Sequence, residues 1–221
     1  MKKYVIVVAS GVGKRMNASM PKQFLLLKGK PVLLHTLENI YMASKEYHII
    51  LVLNAMYMNY WEEVKHKYNI DIPHKIVEGG KERFFSVKNA MASIEDKEAL
   101  VAIHDGVRPM VTREMMEECF LLAEKQGSAV CCVDSTDSVR IIDDKKESQS
   151  IDRQKIKLVQ TPQCFYLSVL RRAYLQEYKE SFTDDASVVE NLGERIFLCK
   201  GERHNIKITT PLDLIIAERL L

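Results

Sequence analysis

Short apolar, β-branched runs alternate along this chain with longer stretches of helical period. Residues 5–9 read as a first strand. Pro31 then suits the first position of a helix, where a missing N–H costs nothing, and apolar residues at 32–34, 37 and 40 follow with helical spacing. Further strands are predicted at 48–53, 75–77, 100–103 and 129–133. Helical patterns fall between them over 61–68, 86–94 and 115–123. Strands alternating with helices of this length imply right-handed βαβ units and a mostly parallel, doubly wound α/β sheet.

The rhythm breaks between Asp134 and Gln163. Short β-type pieces at 138–142 and 157–160 flank a polar, charged loop at 143–149, the pattern of a β-arm protruding from the main sheet. Beyond it, 167–178 and 186–191 are helical in pattern, and 195–199 and 205–208 are extended. Residues 211–221 close as a helix, with Thr210 as N-cap and Pro211 at its first position. No internal repeat occurs, so 1–221 reads as one domain with 134–163 as its arm.

Composition narrows the function classes. Hydrophobic residues at 47% and charged residues at 28% suit a soluble globular chain. A net charge of +2 gives no global field for nucleic acid, so any anion site must be local. The apolar run after Lys3 stops at Ser10-Gly11, too short for a signal peptide core or a membrane span, and no other stretch reaches membrane length. The five cysteines form no C-x-x-C, and the histidines show no metal spacing with them. Reduced thiols and a cytoplasmic location are the expectation.

The glycine loop 9–16, Ala-Ser-Gly-Val-Gly-Lys-Arg-Met, follows the first strand directly. In a parallel sheet, ligands sit beyond the carboxyl ends of the strands, and glycines there let backbone N–H groups approach phosphate. A Rossmann fingerprint needs Gly or Ala where Met16 stands, and no Walker A sequence is present. The glycines alone fit a tight turn as well as a phosphate cradle. Arg15 and Lys22 beside them favour the cradle, since separated cations neutralise a triphosphate and a phosphoryl transition state.

With Pro21-Lys22-Gln23-Phe24-Leu25 the loop resembles the signature of the 2-C-methyl-D-erythritol 4-phosphate cytidylyltransferases of non-mevalonate isoprenoid biosynthesis. The resemblance runs in order through Gly79-Gly80, Arg83, Ser86-Val87, His104-Asp105-Gly106-Val107-Arg108-Pro109, Asp152-Arg153, Gln160-Thr161-Pro162-Gln163 and Thr183-Asp184-Asp185-Ala186-Ser187. It ends on Asn205-Ile206-Lys207-Ile208-Thr209 with Pro211 and Asp213-Leu214, and so covers nearly the whole chain. It implies a Rossmann-like nucleotidyltransferase fold whose arm exchanges between the subunits of a homodimer. It also implies transfer of CMP from CTP to methylerythritol phosphate with Mg²⁺ as cofactor. The family usually carries Ala at the positions of Ser10 and Gly106, Thr at that of Ser138, and often an acid at that of Lys81.

By this resemblance Arg15 and Lys22 grip the phosphates as catalytic residues. Ala9, Ser10, Gly11, Gly13, Gly80, Lys81, Ser86, Asp105, Gly106 and Lys207 hold the nucleotide. Asp105 also holds the metal, and Arg108, Ser138, Arg153 and Thr161 receive the acceptor phosphate. Each residue has a plainer reading beside this one. Asp105 suits a turn, Arg108 an ion pair, Arg153 a solvated face, Lys207 the polar side of a strand, and His104 a satisfied structural histidine. Thr183-Asp184-Asp185 reads as a helix start with Thr183 as cap. A ribitol 5-phosphate cytidylyltransferase, a nucleotide-binding module without catalysis and a nicotinamide-dependent reductase are the competing functions.

Overall fold

A computed structural model describes residues 1–11 and 20–221; Gly13 and Arg15 lie outside the described residues. Eleven strands and seven α-helices are described. Seven strands form one sheet in the order β11-β7-β10-β6-β1-β4-β5. They are β1 (Lys3–Ala9), β4 (His48–Leu53), β5 (His74–Glu78), β6 (Leu100–Asp105), β7 (Ser128–Asp134), β10 (Lys157–Tyr166) and β11 (Leu198–Lys200). β1 pairs in parallel with β4 and β6, and β4 with β5. Only β10 runs antiparallel, between β6 and β7.

The strands read as unbroken apolar runs because both faces of the sheet are covered. Val5, Val7, Ile49, Leu51, Leu100 and Ala102 pack on one side with α1 (Val32–Ala43), α2 (Met58–Tyr68) and α4 (Arg113–Gln126). Their alternates Ile6, Ile50, Val52, Val101 and Ile103 pack on the other with α3 (Arg83–Ala92), α5 (Leu167–Ala173) and α6 (Asp185–Asn191). A smaller cluster seats α7 (Pro211–Leu220), where Ala217 and Ile208 meet Leu27, Val107 and Met110. Thr210 caps α7 in a reciprocal capping box with Asp213, as the sequence predicts.

Several boundaries differ from expectation. Pro31 is the N-cap of α1, so the helix starts one residue later than predicted, and it ends a small hairpin formed by β2 (Leu26–Leu27) and β3 (Lys30–Pro31). β10 does not stop at Gln160 but continues through Tyr166 into the main sheet. Its register against β7 shifts between Val159 and Gln163, because Pro162 has no N–H to give a ladder. α5 is shorter than the 167–178 pattern, and 205–208 form no strand. Ile208 is held by its N–H on the Val107 carbonyl at 2.9 Å.

The arm is a separate antiparallel pair, β8 (Val139–Ile142) and β9 (Ser148–Ile151). Asp143 Oδ1 closes its turn by accepting the amides of Lys145 and Glu147 at 3.0 and 2.8 Å. At the base, the Arg153 guanidinium donates to the Thr136 carbonyl at 2.9 Å.

Candidate active site

Three loops meet at the carboxyl edge of the sheet, beyond β1, β5 and β6. Their contacts are close. A Cβ on Gly79 would lie 2.4 Å from Ser10 Cβ, and one on Gly106 would lie 2.9 Å from Ala9 Cβ. The Gly106 amide donates to the Val8 carbonyl at 2.9 Å. Ser10 and Ser86 hydroxyls sit 2.8 Å apart, and Ser86 Oγ accepts the Gly80 amide at 3.1 Å. Gln23 is 2 % exposed and donates to the carbonyls of Ala9 and Gly11 at 2.7 and 3.0 Å. Sequence reasoning gave Gln23 no role; its place two residues after Pro21, in a short helix of Lys22–Phe24, brings its amide under the glycine loop. Lys81 is exposed on the turn before α3, and Lys22 is half-buried.

Asp105 ends β6 and is 6 % exposed. Lys207 Nζ lies 2.9 Å and Arg108 Nε 3.3 Å from its Oδ2, while Arg83 Nε lies 3.7 Å from its Oδ1. Burial alone would raise the carboxyl; Lys207, Arg83 and Arg108 together override it and hold Asp105 well below the usual carboxylate range. Arg108 is 8 % exposed and also donates to the Asn205 carbonyl at 2.8 Å. The plainer reading of Arg108, an ion pair, is thus realised, and one of its own amines still ties down the segment that carries Lys207. Arg83 is fixed from behind. Its Nη2 meets Asp185 Oδ2 at 2.6 Å, and the Tyr174 hydroxyl donates to Asp185 Oδ1 at 2.6 Å.

Asp185 therefore has more to do than begin a helix. The capping residue of α6 is Asp184, in a capping box with Ser187, and not Thr183 as expected. Asp185, one residue on, is fully buried under Arg83. Gln163 ties this helix start to β10: its amide donates to Asp184 at 2.9 Å and its Oε1 accepts the Ala186 amide at 2.9 Å.

His104 is fully buried. The Arg108 carbonyl, 3.2 Å from Nε2, can only accept, which puts the proton on Nε2. Thr161 Oγ1 accepts the Asp105 amide at 3.1 Å and donates to His104 Nδ1 at 3.0 Å. Burial lowers the imidazole pKa to about 4, so it stays neutral at pH 7. Thr161 does line the pocket, but its hydroxyl is occupied inward.

A cavity of about 220 Å³ opens between these groups, lined by Arg83, Asp105, Arg108, Thr161, Gln163 and Lys207 among others. Ser138 and Arg153 are exposed on the arm and line no part of it. Among the described residues, the donors present do not fit a resident magnesium ion. Asp105 is one carboxylate already paired with three cations, whereas Mg²⁺ needs oxygen donors without competing positive charge. Among the described residues, the only three-donor group is made of cysteine sulfur.

The family model described as 2-C-methyl-D-erythritol 4-phosphate cytidylyltransferase matches residues 3–221. The protein of that name from Phocaeicola vulgatus is 46% identical over 221 residues, covering 100% of both chains. The one from Azobacteroides pseudotrichonymphae is 47% identical, covering 99% of this chain and 98% of its own. The crystal structure of 4-diphosphocytidyl-2C-methyl-D-erythritol synthase from Anaerococcus prevotii superposes with a TM-score of 0.84 at 28% identity, covering 99% of this chain and 97% of that one.

Proposed function

The chain belongs to the 2-C-methyl-D-erythritol 4-phosphate cytidylyltransferase family, and from that membership we propose which of its residues do the work. It transfers the cytidylyl group of CTP to methylerythritol phosphate. A phosphate oxygen of the acceptor attacks the α-phosphorus, the bond to the β-phosphate oxygen breaks, and pyrophosphate leaves.

CTP lies across the edge where the three loops meet. The backbone of Ala9, Ser10, Gly11, Gly13, Gly80, Lys81 and Gly106 and the Ser86 hydroxyl hold the nucleoside and its first phosphate. Arg15, Lys22 and Lys207 take the remaining charge. The observation that carries these roles is the excess of cations around Asp105, where Arg83, Arg108 and Lys207 face one carboxylate. Asp105 keeps them aligned before substrate arrives, so little reorganisation remains when phosphate oxygens replace it as their partner. Asp185 and Tyr174 position Arg83. The nucleophile is already an anion, so alignment and charge stabilisation suffice. Neutral, buried His104 is a scaffold between Thr161 and Arg108, not a base.

Magnesium would enter this scheme with the substrate, where it would offset triphosphate charge, rather than on Asp105. The acceptor phosphate is met by Arg108, beside Thr161, and by Ser138 and Arg153 of a second subunit's arm. Support for a homodimer comes from the arm's uncovered apolar residues: Ile141 is 56%, Ile142 67% and Leu158 49% exposed. No helix among the described residues is long and apolar enough to cross a membrane. Five free thiols are in keeping with a cytoplasmic setting.

Pyrophosphate release from CTP, Mg²⁺ and methylerythritol phosphate tests the site. Lys22→Ala and Lys207→Ala should each keep the fold and lower turnover by about 10²–10³, the usual effect of losing one transition-state donor. Turnover near that of the unaltered protein in both variants would remove the cation cluster from the mechanism.

A further inference from the structure

On the far flank of the sheet the fold gathers sulfur that the chain keeps apart. Cys131 on β7 and Cys199 on β11 are opposed in the parallel ladder, with their Sγ atoms 3.3 Å apart. Cys119 reaches them from α4, and the three Sγ atoms all lie within 4.8 Å of one another. Cys119 and Cys131 are fully buried and Cys199 is 6 % exposed. No histidine or carboxylate among the described residues belongs to the group. Cys164 lies beside Cys119 but outside the set whose sulfur atoms mutually approach so closely.

We propose that Cys119, Cys131 and Cys199 form a three-sulfur site for a soft, thiophilic cation of the Cu(I) class. The donor set selects for softness: thiolates favour such ions, and Mg²⁺ or Ca²⁺ finds no oxygen here. The donor count selects against structural zinc, which takes four ligands. Geometry permits closure. A metal–sulfur distance of about 2.3 Å in a trigonal site spaces the sulfur atoms about 4 Å apart, and the present spacings lie near that value, 3.3 Å between Cys131 and Cys199 and none above 4.8 Å. Each ligating thiol gives its proton to water, so uptake strengthens as pH rises.

An entry route adjoins the cluster. A cleft of about 560 Å³ is lined by Cys132 and Cys199 with Lys157, Lys200, Arg203 and His204. Cys199 stands between this cleft and the two deeper sulfur atoms, on an edge strand only three residues long. Such an edge opens locally at small cost, which admits an ion without global unfolding. Lys200 and Arg203 at the cleft offset part of the negative charge that thiolate ligation brings; Lys157 there is already paired with Asp134.

The test titrates the reduced, full-length protein with Cu(I) held by the chelator bathocuproine disulfonate, and reads the metal's surroundings by X-ray absorption. One ion per chain should be withdrawn from the chelator, with three sulfur neighbours. Cys131→Ala and Cys199→Ala should each weaken binding by on the order of a hundredfold or more. Cys132→Ala, adjacent in sequence but outside the group, should leave binding unchanged. The proposal fails if no ion is withdrawn, if nitrogen or oxygen neighbours dominate, or if Cys132→Ala weakens binding as much as the other two. The sulfur count on the unaltered protein decides the matter even where a variant does not fold.

Discussion

The floor of the active site and the arm carry residues proposed for one reaction, yet they are built on opposite principles. The floor is over-determined. Asp105 meets three cations, Arg83 is gripped from behind by Asp185, and Thr161 and His104 lock the end of β6 to β10. The arm is a two-stranded hairpin with Ser138 and Arg153 in solvent and its isoleucines uncovered. Two strands alone are marginal in water. The contrast teaches where each region finds its order: the floor within one chain, the arm from whatever covers it.

The sharpest way to break this comparison is Asp105→Ala. It leaves Arg83, Arg108 and Lys207 facing one another around the space it vacates. The fold should lose about 3–5 kcal/mol, as when one partner of a buried ion pair is removed, and turnover should fall with it. Urea unfolding followed by circular dichroism measures the first; a loss under 1 kcal/mol would mean that the floor is not over-determined.

A smaller effect comes through pH. Folded His104 titrates near 4 against 6.5 for a free imidazole, so between these values the unfolded chain binds more protons than the folded one. Stability is therefore full above about 6.5 and drains as pH falls toward about 4, by on the order of 3 kcal/mol. Urea midpoints taken across that range should fall in the unaltered protein and flatten in His104→Gln. An equal slope in both would assign the loss to other groups.

The smallest effect on stability belongs to the arm. Arg153→Ala should change unfolding free energy by no more than about 0.5 kcal/mol, as for other exposed positions. It should nonetheless raise the KM for methylerythritol phosphate and spare the KM for CTP. A change confined to CTP would detach the arm from the acceptor.

Most of the sheet was legible from the sequence, for a physical reason. β1, β4 and β6 are covered on both faces, so their apolar runs are continuous and sharply bounded. β10 was not, because Thr161-Pro162-Gln163 interrupts its pattern where the ladder slips and Thr161 turns to His104. The packing of Gly79 on Ser10 and of Gly106 on Ala9 was not legible, because a glycine beyond a strand suits a bound phosphate as well as a neighbouring loop. Nor was the role of Asp185. An aspartate in a first helical turn has a sufficient local explanation, and its bond to Arg83 spans 102 positions of chain. The sulfur cluster was hidden in the same way, since Cys119, Cys131 and Cys199 have no spacing that a motif would register.

The way the floor is completed has a consequence for shortened chains. Lys207 reaches Asp105 from a segment anchored at three points: the Asn205 carbonyl accepts Arg108, the Asn205 side-chain amide donates to the Thr161 carbonyl, and the Ile208 amide donates to the Val107 carbonyl. A chain without the residues from Asn205 onward would carry the glycine loop, Arg83, Arg108 and the arm, yet lack the last cation. Competence therefore depends on a segment far in sequence from the loops whose charge it completes.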